Sequence, residues 1–172
     1  AGRPATDFRT SSSVFLRHGS PLLQELNDRT AAFLRIPRSH QEHLQVLRYY
    51  PGEKYDQHDD YFDPRQYQND AATLALTKRG RRNRFATFFW YLSDVTSGGE
   101  TSFPKAEGRE PHTLLDCYGT DSLLVQPQRG RGVLFYSMRA DGRLDPRSTH
   151  AACPVGPDNV KWASNKWVWN QP

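Results

Sequence analysis

The sequence predicts an α+β chain that is mainly β, a sandwich or jelly roll braced by helices near its start. Three observations carry that expectation. Helical patterns come first, and short strand-like runs punctuated by turn residues fill most of the remaining chain. An almost continuous apolar octet, Phe-Ala-Thr-Phe-Phe-Trp-Tyr-Leu at 85–92, reads as a central strand buried on both faces. The chain's 172 residues, 36% hydrophobic and 12% aromatic, suffice for one domain with a full core. The expected division is one domain over 1–172, with helical support at about 14–43 and the β core at about 44–170.

Residues 1–13 are polar and read as irregular. Ser20-Pro21 is an N-cap followed by Pro at the first helical position. Leu22, Leu23, Leu26, Ala31, Phe33 and Leu34 then recur at helical spacing until Pro37. Ser39 and Glu42 form a capping-box pattern that predicts a second, short helix. Residues 44–50 are strand-like, Pro51-Gly52 is a turn, and 55–62 form the next extended piece. Residues 63–83 are long and polar and read as a mobile excursion with room for a short helix, of the kind that serves as a lid. After the octet, Gly98-Gly99 turns into another extended piece and 105–116 is a connection. Strands are expected at 122–126, 132–137, 150–153 and 161–170, with a turn at Asp141-Gly142-Arg143.

No apolar stretch approaches the roughly 18–20 residues of a membrane span, so no membrane contact is expected from this segment. The chain begins at Ala1 rather than Met, as a trimmed or processed product would, and shows no signal-like run. The net charge of +4 is concentrated in Lys78-Arg79-Gly80-Arg81-Arg82-Asn83-Arg84, read as a solvated loop or as a rim attracting an acidic or polar substrate. No nucleic-acid partner is expected, because aromatics do not interleave with these basic residues. Cys117 and Cys153 make neither a Cys-x-x-Cys pair nor a zinc site; they are two free thiols or one disulfide.

The chemistry concentrates in Tyr-Asp-Gln-His-Asp-Asp-Tyr-Phe at 55–62. On an extended segment, His58 and Asp60 share one face. His150 lies 92 residues downstream, and Lys161 comes eleven positions after it. Two His and one carboxylate leave half of an octahedral Fe(II) sphere open, the arrangement of a non-haem oxygenase. A basic residue after the second His is suited to hold the far carboxylate of 2-oxoglutarate.

Through these motifs the sequence resembles the prolyl 4-hydroxylase family, notably its single-domain plant and algal members. The resemblance runs through Arg9-Thr10-Ser11, Leu-Gln-Val-Leu-Arg-Tyr-Tyr-Pro-Gly-Glu-Lys-Tyr at 44–55, the His-x-Asp pair and Gly-Gly-Glu-Thr-Ser-Phe-Pro at 98–104. It continues through Gly-Val-Leu-Phe-Tyr-Ser at 132–137, Asp145-Pro146 and residues 150–167. It implies a double-stranded β-helix (jelly-roll) core, peptidyl-proline 4-hydroxylation, and Fe(II), 2-oxoglutarate, O2 and ascorbate as cofactors. It further implies His58, Asp60 and His150 as metal ligands, with Lys161 holding the cosubstrate and Tyr49 and Thr101 assisting through their hydroxyls. Tyr55, Arg84 and Trp167 are implied to bind a proline-rich peptide, and the secretory pathway (endoplasmic reticulum or Golgi lumen) is the implied home. Because Tyr55 and His58 differ by three, facing the same way requires a bend in the strand.

The chain departs from the family pattern in three places. The spacing from His150 to Lys161 is one residue longer than the commonest form, which keeps Lys166 as a second candidate for the anchor. Trp169 stands where plant and algal members usually carry His, and the 63–83 segment is distinctive and basic. Two competing readings remain: the same cofactors serving a lysyl, small-molecule or nucleic-acid substrate, or a non-catalytic jelly-roll binding module. Oligomeric state is not encoded in any motif.

Overall fold

The computed structural model describes residues 8–17, 19–106, 117 and 122–172. Two antiparallel sheets carry the fold. The larger has five strands in the order β1 (Ser12–Leu16), β2 (Leu44–Tyr49), β9 (Lys161–Trp169), β4 (Arg84–Tyr91) and β7 (Gly132–Tyr136). The smaller has β3 (Tyr55–His58), β8 (His150–Ala152), β5 (Thr101–Phe103) and β6 (Leu123–Val125). From β2 to β9 the chain passes repeatedly between the sheets, so that β9, the last strand, lies between β2 and β4. That winding is the jelly roll expected from the sequence.

The core sits between the sheets. Leu47, Tyr49, Phe89, Tyr91, Val95, Val155 and Ala163 form its buried cluster. Alternation on β2, β4 and β9 delivers these residues, because Leu47 and Tyr49, Phe89 and Tyr91, and Lys161 and Ala163 each lie two apart on one face. The opposite face of the larger sheet is braced by helix α1 (Pro21–Leu34), where Phe33 stacks on Phe88 at 5.8 Å. The start of α1 is capped by the Ser20 hydroxyl, which accepts a hydrogen bond from the Leu23 N–H at 3.3 Å, and Arg35 closes the helix in the left-handed region.

Three segments differ from the sequence expectation. Residues 12–16, of which 12 and 13 read as irregular and 14–16 fall within the expected helical support, form edge strand β1; every side chain in it is exposed, so the backbone ladder to β2 holds it without a hydrophobic pattern. The second helix is only a 3-10 turn, Arg38–His40. Gln41 is already extended and bridges Val168, and the Glu42 N–H donates to the Trp167 carbonyl at 2.9 Å, so the sheet edge takes the backbone a helix would have used. The 63–83 excursion does contain a short helix, α2 (Ala71–Leu76), capped by Asp70, but its base is clamped. The Asn83 side chain accepts from the Phe62 N–H (2.9 Å) and donates to the Phe62 carbonyl (2.8 Å), while its own N–H donates to Asn170 (2.8 Å). The connection expected at 105–116 falls outside the described residues from 107 onward. Cys117 and Cys153 are joined in a disulfide. Among the described residues, no helix is long and apolar enough to cross a membrane.

Candidate active site

Adjacent strands of the smaller sheet set two histidines side by side. His58 ends β3 and pairs in register with His150, which opens β8; their rings lie 4.2 Å apart. Between Tyr55 and His58 the register shifts, with three steps on β3 opposing two on β8. This bulge is the bend the parity argument required, displaced a few residues beyond the Pro51-Gly52 turn. It lets Tyr55 and His58 face one way, and their rings stack at 3.6 Å.

Asp60 lies just beyond β3 and is buried. The candidate ligand atoms of His58, Asp60 and His150 all lie within 4.8 Å of one another. Each His Nδ1 faces a main-chain carbonyl two residues earlier, Asp56 at 2.8 Å and Ser148 at 2.9 Å. A carbonyl only accepts, so Nδ1 carries the proton and Nε2 presents its lone pair to the cluster. Burial and the neighbouring His150 push the His58 pKa down to about 3, which keeps this imidazole neutral and able to donate electrons. Burial alone would raise the Asp60 carboxyl, but His150, Arg84, His58 and the Thr87 hydrogen bond outweigh it and hold it below its ordinary value. Thr87 Oγ1 donates to Asp60 Oδ2 at 2.6 Å and fixes the carboxylate. Two neutral imidazole nitrogens and one oriented carboxylate oxygen fit an octahedral Fe(II) with three positions left over.

Deeper between the sheets is a second cluster around Lys161, which is fully buried. Lys161 sits directly across the ladder from Tyr49. Its ammonium lies 5.1 Å from the Tyr49 ring and 5.5 Å from the Tyr91 ring. Its one hydrogen bond among the described residues goes to the Gly99 carbonyl at 2.6 Å. Gly99 adopts φ +71°, where a side chain would be strained, and a Cβ there would press the Lys161 stem at 3.4 Å. Burial pushes the Lys161 pKa down to about 7, with Glu100 acting in the opposite sense. A buried ammonium with two unused N–H bonds and no carboxylate within 4 Å among the described residues suits an anion. Thr101 Oγ1 accepts from the Tyr91 hydroxyl at 2.6 Å, leaving its own O–H free to donate. Thr101 pairs with Ala152, two residues along β8 from His150, so Thr101 stands on the strand beside the one that carries this histidine.

Around Asp60 the structure also gathers the three residues implied for peptide binding. The Arg84 guanidinium lies 3.7 Å over the Trp167 ring, 5.0 Å from the Phe62 ring centre and, at Nη1, 3.9 Å from Asp60. Tyr55 approaches from the other side on His58. Lys166, the second anchor candidate, points to the opposite face of β9, where it donates to Asn27 (2.5 Å) and to the Glu42 carbonyl (2.6 Å).

Sequence reasoning passed over three residues. Tyr91 and Thr87 share the inward face of β4 with Phe89, and the alternation inside the apolar octet was the available signal. Glu42 was read as a helix cap; its carboxylate instead accepts two bonds from Arg84 (2.6 and 3.0 Å) and one from the Trp169 indole (2.8 Å). No local pattern marks those partners.

Comparison with known proteins agrees with this geometry. The family model described as the 2OG-Fe(II) oxygenase superfamily matches residues 44–169. A probable prolyl 4-hydroxylase 3 of Arabidopsis thaliana is 43% identical over 166 residues, covering 93% of this chain and 54% of its own length. Prolyl 4-hydroxylase 2 of the same plant is 37% identical over 171 residues, covering 95% of this chain and 53% of its own. The chain thus spans about half the length of the curated relatives it matches. Among solved structures, the viral collagen prolyl hydroxylase of Paramecium bursaria Chlorella virus-1, in complex with 2OG, superposes with a TM-score of 0.67 at 25% identity, covering 94% of this chain and 79% of the viral one. A Pseudomonas putida prolyl-4-hydroxylase shares the fold, with a TM-score of 0.61 at 18% identity over 99% of this chain and 78% of its own. On its sequence match and its winding alike, the chain belongs to the 2OG-Fe(II) oxygenase superfamily.

Proposed function

We propose that this chain is the catalytic unit of a prolyl 4-hydroxylase that converts peptidyl proline to 4-hydroxyproline. The observation that carries the reading is a His-Asp-His cluster together with a buried ammonium that has no anionic partner among the described residues. When bound, Fe(II) with 2-oxoglutarate and O2 supplies the oxidising power that puts one oxygen atom into a C–H bond, with release of succinate and CO2.

The protein's own part is positioning. His58 and His150 hold their lone pairs toward the metal position through the Nδ1 bonds to Asp56 and Ser148, and Thr87 fixes the Asp60 oxygen that lies 3.9 Å from His150 Nε2. Lys161 and the Thr101 hydroxyl bind the distal carboxylate of 2-oxoglutarate. Tyr91, whose hydroxyl is pushed up to about 12 by burial, stays protonated and donates to Thr101. Tyr49 and Phe89 keep water from the ammonium. Tyr55, Trp167 and Arg84 line the way in. Aromatic faces pack on proline rings, and Arg84 Nη1, not used in the Glu42 pair, is available to a peptide carbonyl. An extended polyproline II segment matches such a surface. The disulfide supports a secretory-pathway location, where thiols are oxidised and ascorbate serves as reductant.

The test is mass spectrometry of proline-rich peptides incubated with the chain, Fe(II), 2-oxoglutarate and ascorbate. A one-oxygen gain located on proline, matched by succinate release, is the expected result. Succinate coupled to oxidation of lysine or of a small molecule would move the substrate assignment, and no coupled succinate on any substrate would leave a binding module.

A further inference from the structure

The basic loop at 78–84 contributes Arg84 to the active site, and Arg82 of the same loop lies over Trp169. Beyond Trp169 a cavity of about 300 Å³ is lined by Phe15, Arg17, Glu42, His43, Arg82 and Trp169. We propose that this cavity is a subsite for an acidic side chain of the peptide, so that prolines flanked by Asp or Glu are preferred. The proposal rests on the peptidyl-proline reading and specifies its substrate.

The charges around the cavity do not balance. Glu42 is already committed, with both oxygens held by Arg84 and one shared with the Trp169 N–H. The Arg82 guanidinium lies 4.0 Å over the Trp169 ring. It is held by main-chain carbonyls, Leu76 at 3.1 Å and Gln171 at 3.3 Å, which orient it without neutralising it. Arg17 makes no hydrogen bond or ion pair among the described residues and is exposed at the end of β1. Two guanidinium groups therefore line a cavity whose only lining carboxylate among the described residues is paired with a third. Exposed Arg79 and Arg81, with no carboxylate partner among the described residues, add positive charge to the same loop as Arg82.

Geometry ties the cavity to the chemistry. Asp60 neighbours Arg84, Arg84 is bonded to Glu42, and Glu42 is in the cavity wall. The wall is stiff, because Trp169 stacks on Phe62 at 5.8 Å and is bonded to Glu42. A polyproline II chain advances about 3.1 Å per residue, so a side chain flanking the reacting proline is the part of the peptide that such a subsite would take. A carboxylate arriving there meets guanidinium N–H groups suited to charge-assisted, two-pronged bonding. Trp169 supplies the face on which Arg82 rests.

The test uses fluorescein-labelled proline-rich peptides carrying one Glu or one Gln about two to four residues to either side of a central proline. Binding is read by anisotropy under argon with the whole chain, Fe(II) and 2-oxoglutarate, and air is then admitted to read hydroxylation by mass spectrometry. On one side of the proline, the Glu peptide is expected to bind about tenfold tighter than its Gln twin at low salt, the gap narrowing at about 0.5 M salt. Arg17→Gln and Arg82→Gln should each narrow the gap and the double variant close it. Since Arg17 is exposed, Arg17→Gln serves even where Arg82→Gln disturbs Trp169. Arg17→Glu should turn the preference toward a Lys peptide. Equal binding of Glu and Gln peptides on both sides, binding of neither, or a gap that survives the double variant overturns the proposal. A Glu preference without hydroxylation of any proline would leave the subsite standing and sink the proposed function instead.

Discussion

Raising the pH from about 6 to about 10 is expected to weaken 2-oxoglutarate binding about a hundredfold, through the single ammonium of Lys161. In the free protein that group's pKa is pushed from 10.5 down to about 7, because burial penalises its charge. A carboxylate placed against it favours the charged form and lifts the pKa by about 2 units, within the ordinary effect of an opposite charge at contact. The complex then holds one more proton than the free protein over the window from about 7 to about 9. Affinity falls about tenfold per pH unit there, about 2.7 kcal/mol in all, and is flat on either side. Folding carries the complementary sign. The folded pKa lies below the unfolded one, so the penalty is complete below about 7 and fades as pH climbs toward 10.5. Calorimetry of 2-oxoglutarate binding to the Mn(II)-loaded chain, repeated in buffers of different ionisation enthalpy, reads affinity and proton uptake together. Lys161→Arg, whose charge does not titrate in this range, should remove the pH dependence, and Lys161→Met should abolish binding. Wild-type affinity that is level from pH about 7 to about 9 without proton uptake would refute the placement of a desolvated ammonium at the anion position.

Three further outcomes are expected from the same geometry. Asp60→Ala removes the one anionic donor of the cluster and should abolish both metal retention, read by elemental analysis after gel filtration, and succinate formation. Tyr91→Phe deletes the hydroxyl that bonds Thr101 and the Val125 carbonyl, and should weaken 2-oxoglutarate by roughly fivefold, about 1 kcal/mol, with kcat little changed. Cys117→Ser opens a disulfide spanning 36 residues and should cost up to about 4 kcal/mol of stability by the chain-entropy relation, read as a fall in denaturant midpoint against the oxidised wild type.

The features legible in the sequence divide from the rest along a physical line. Strands and turns announce themselves locally: alternation places Leu47 and Tyr49 on one face, and Gly99 with its positive φ marks the turn that receives Lys161. The His-x-Asp spacing is legible for the same reason, since a two-residue period fixes which way both side chains point. Lys166 shows how far that logic reaches. Five positions from Lys161 on one strand, it must face the opposite way, where it bonds to Asn27 and the Glu42 carbonyl. Strand β1 escaped because edge pairing asks nothing of its side chains, all of which are exposed. The bulge between Tyr55 and His58 was legible only as a required bend, because parity shows that an extra residue is needed but not where it sits. Glu42 was misread because a capping box and a free carboxylate look alike until the partner is known, and here the partners lie 42 and 127 residues away. Local periodicity therefore aims the side chains, while pairings across the sheets decide their work. Arg84 illustrates the consequence: a residue in a basic run was readable as one more solvated charge, but its neighbours Asp60, Glu42 and Trp167 arrive from three different strands and loops. Only that convergence separates it from Arg79 and Arg81 in the same loop, which have no carboxylate partner among the described residues and remain at the surface.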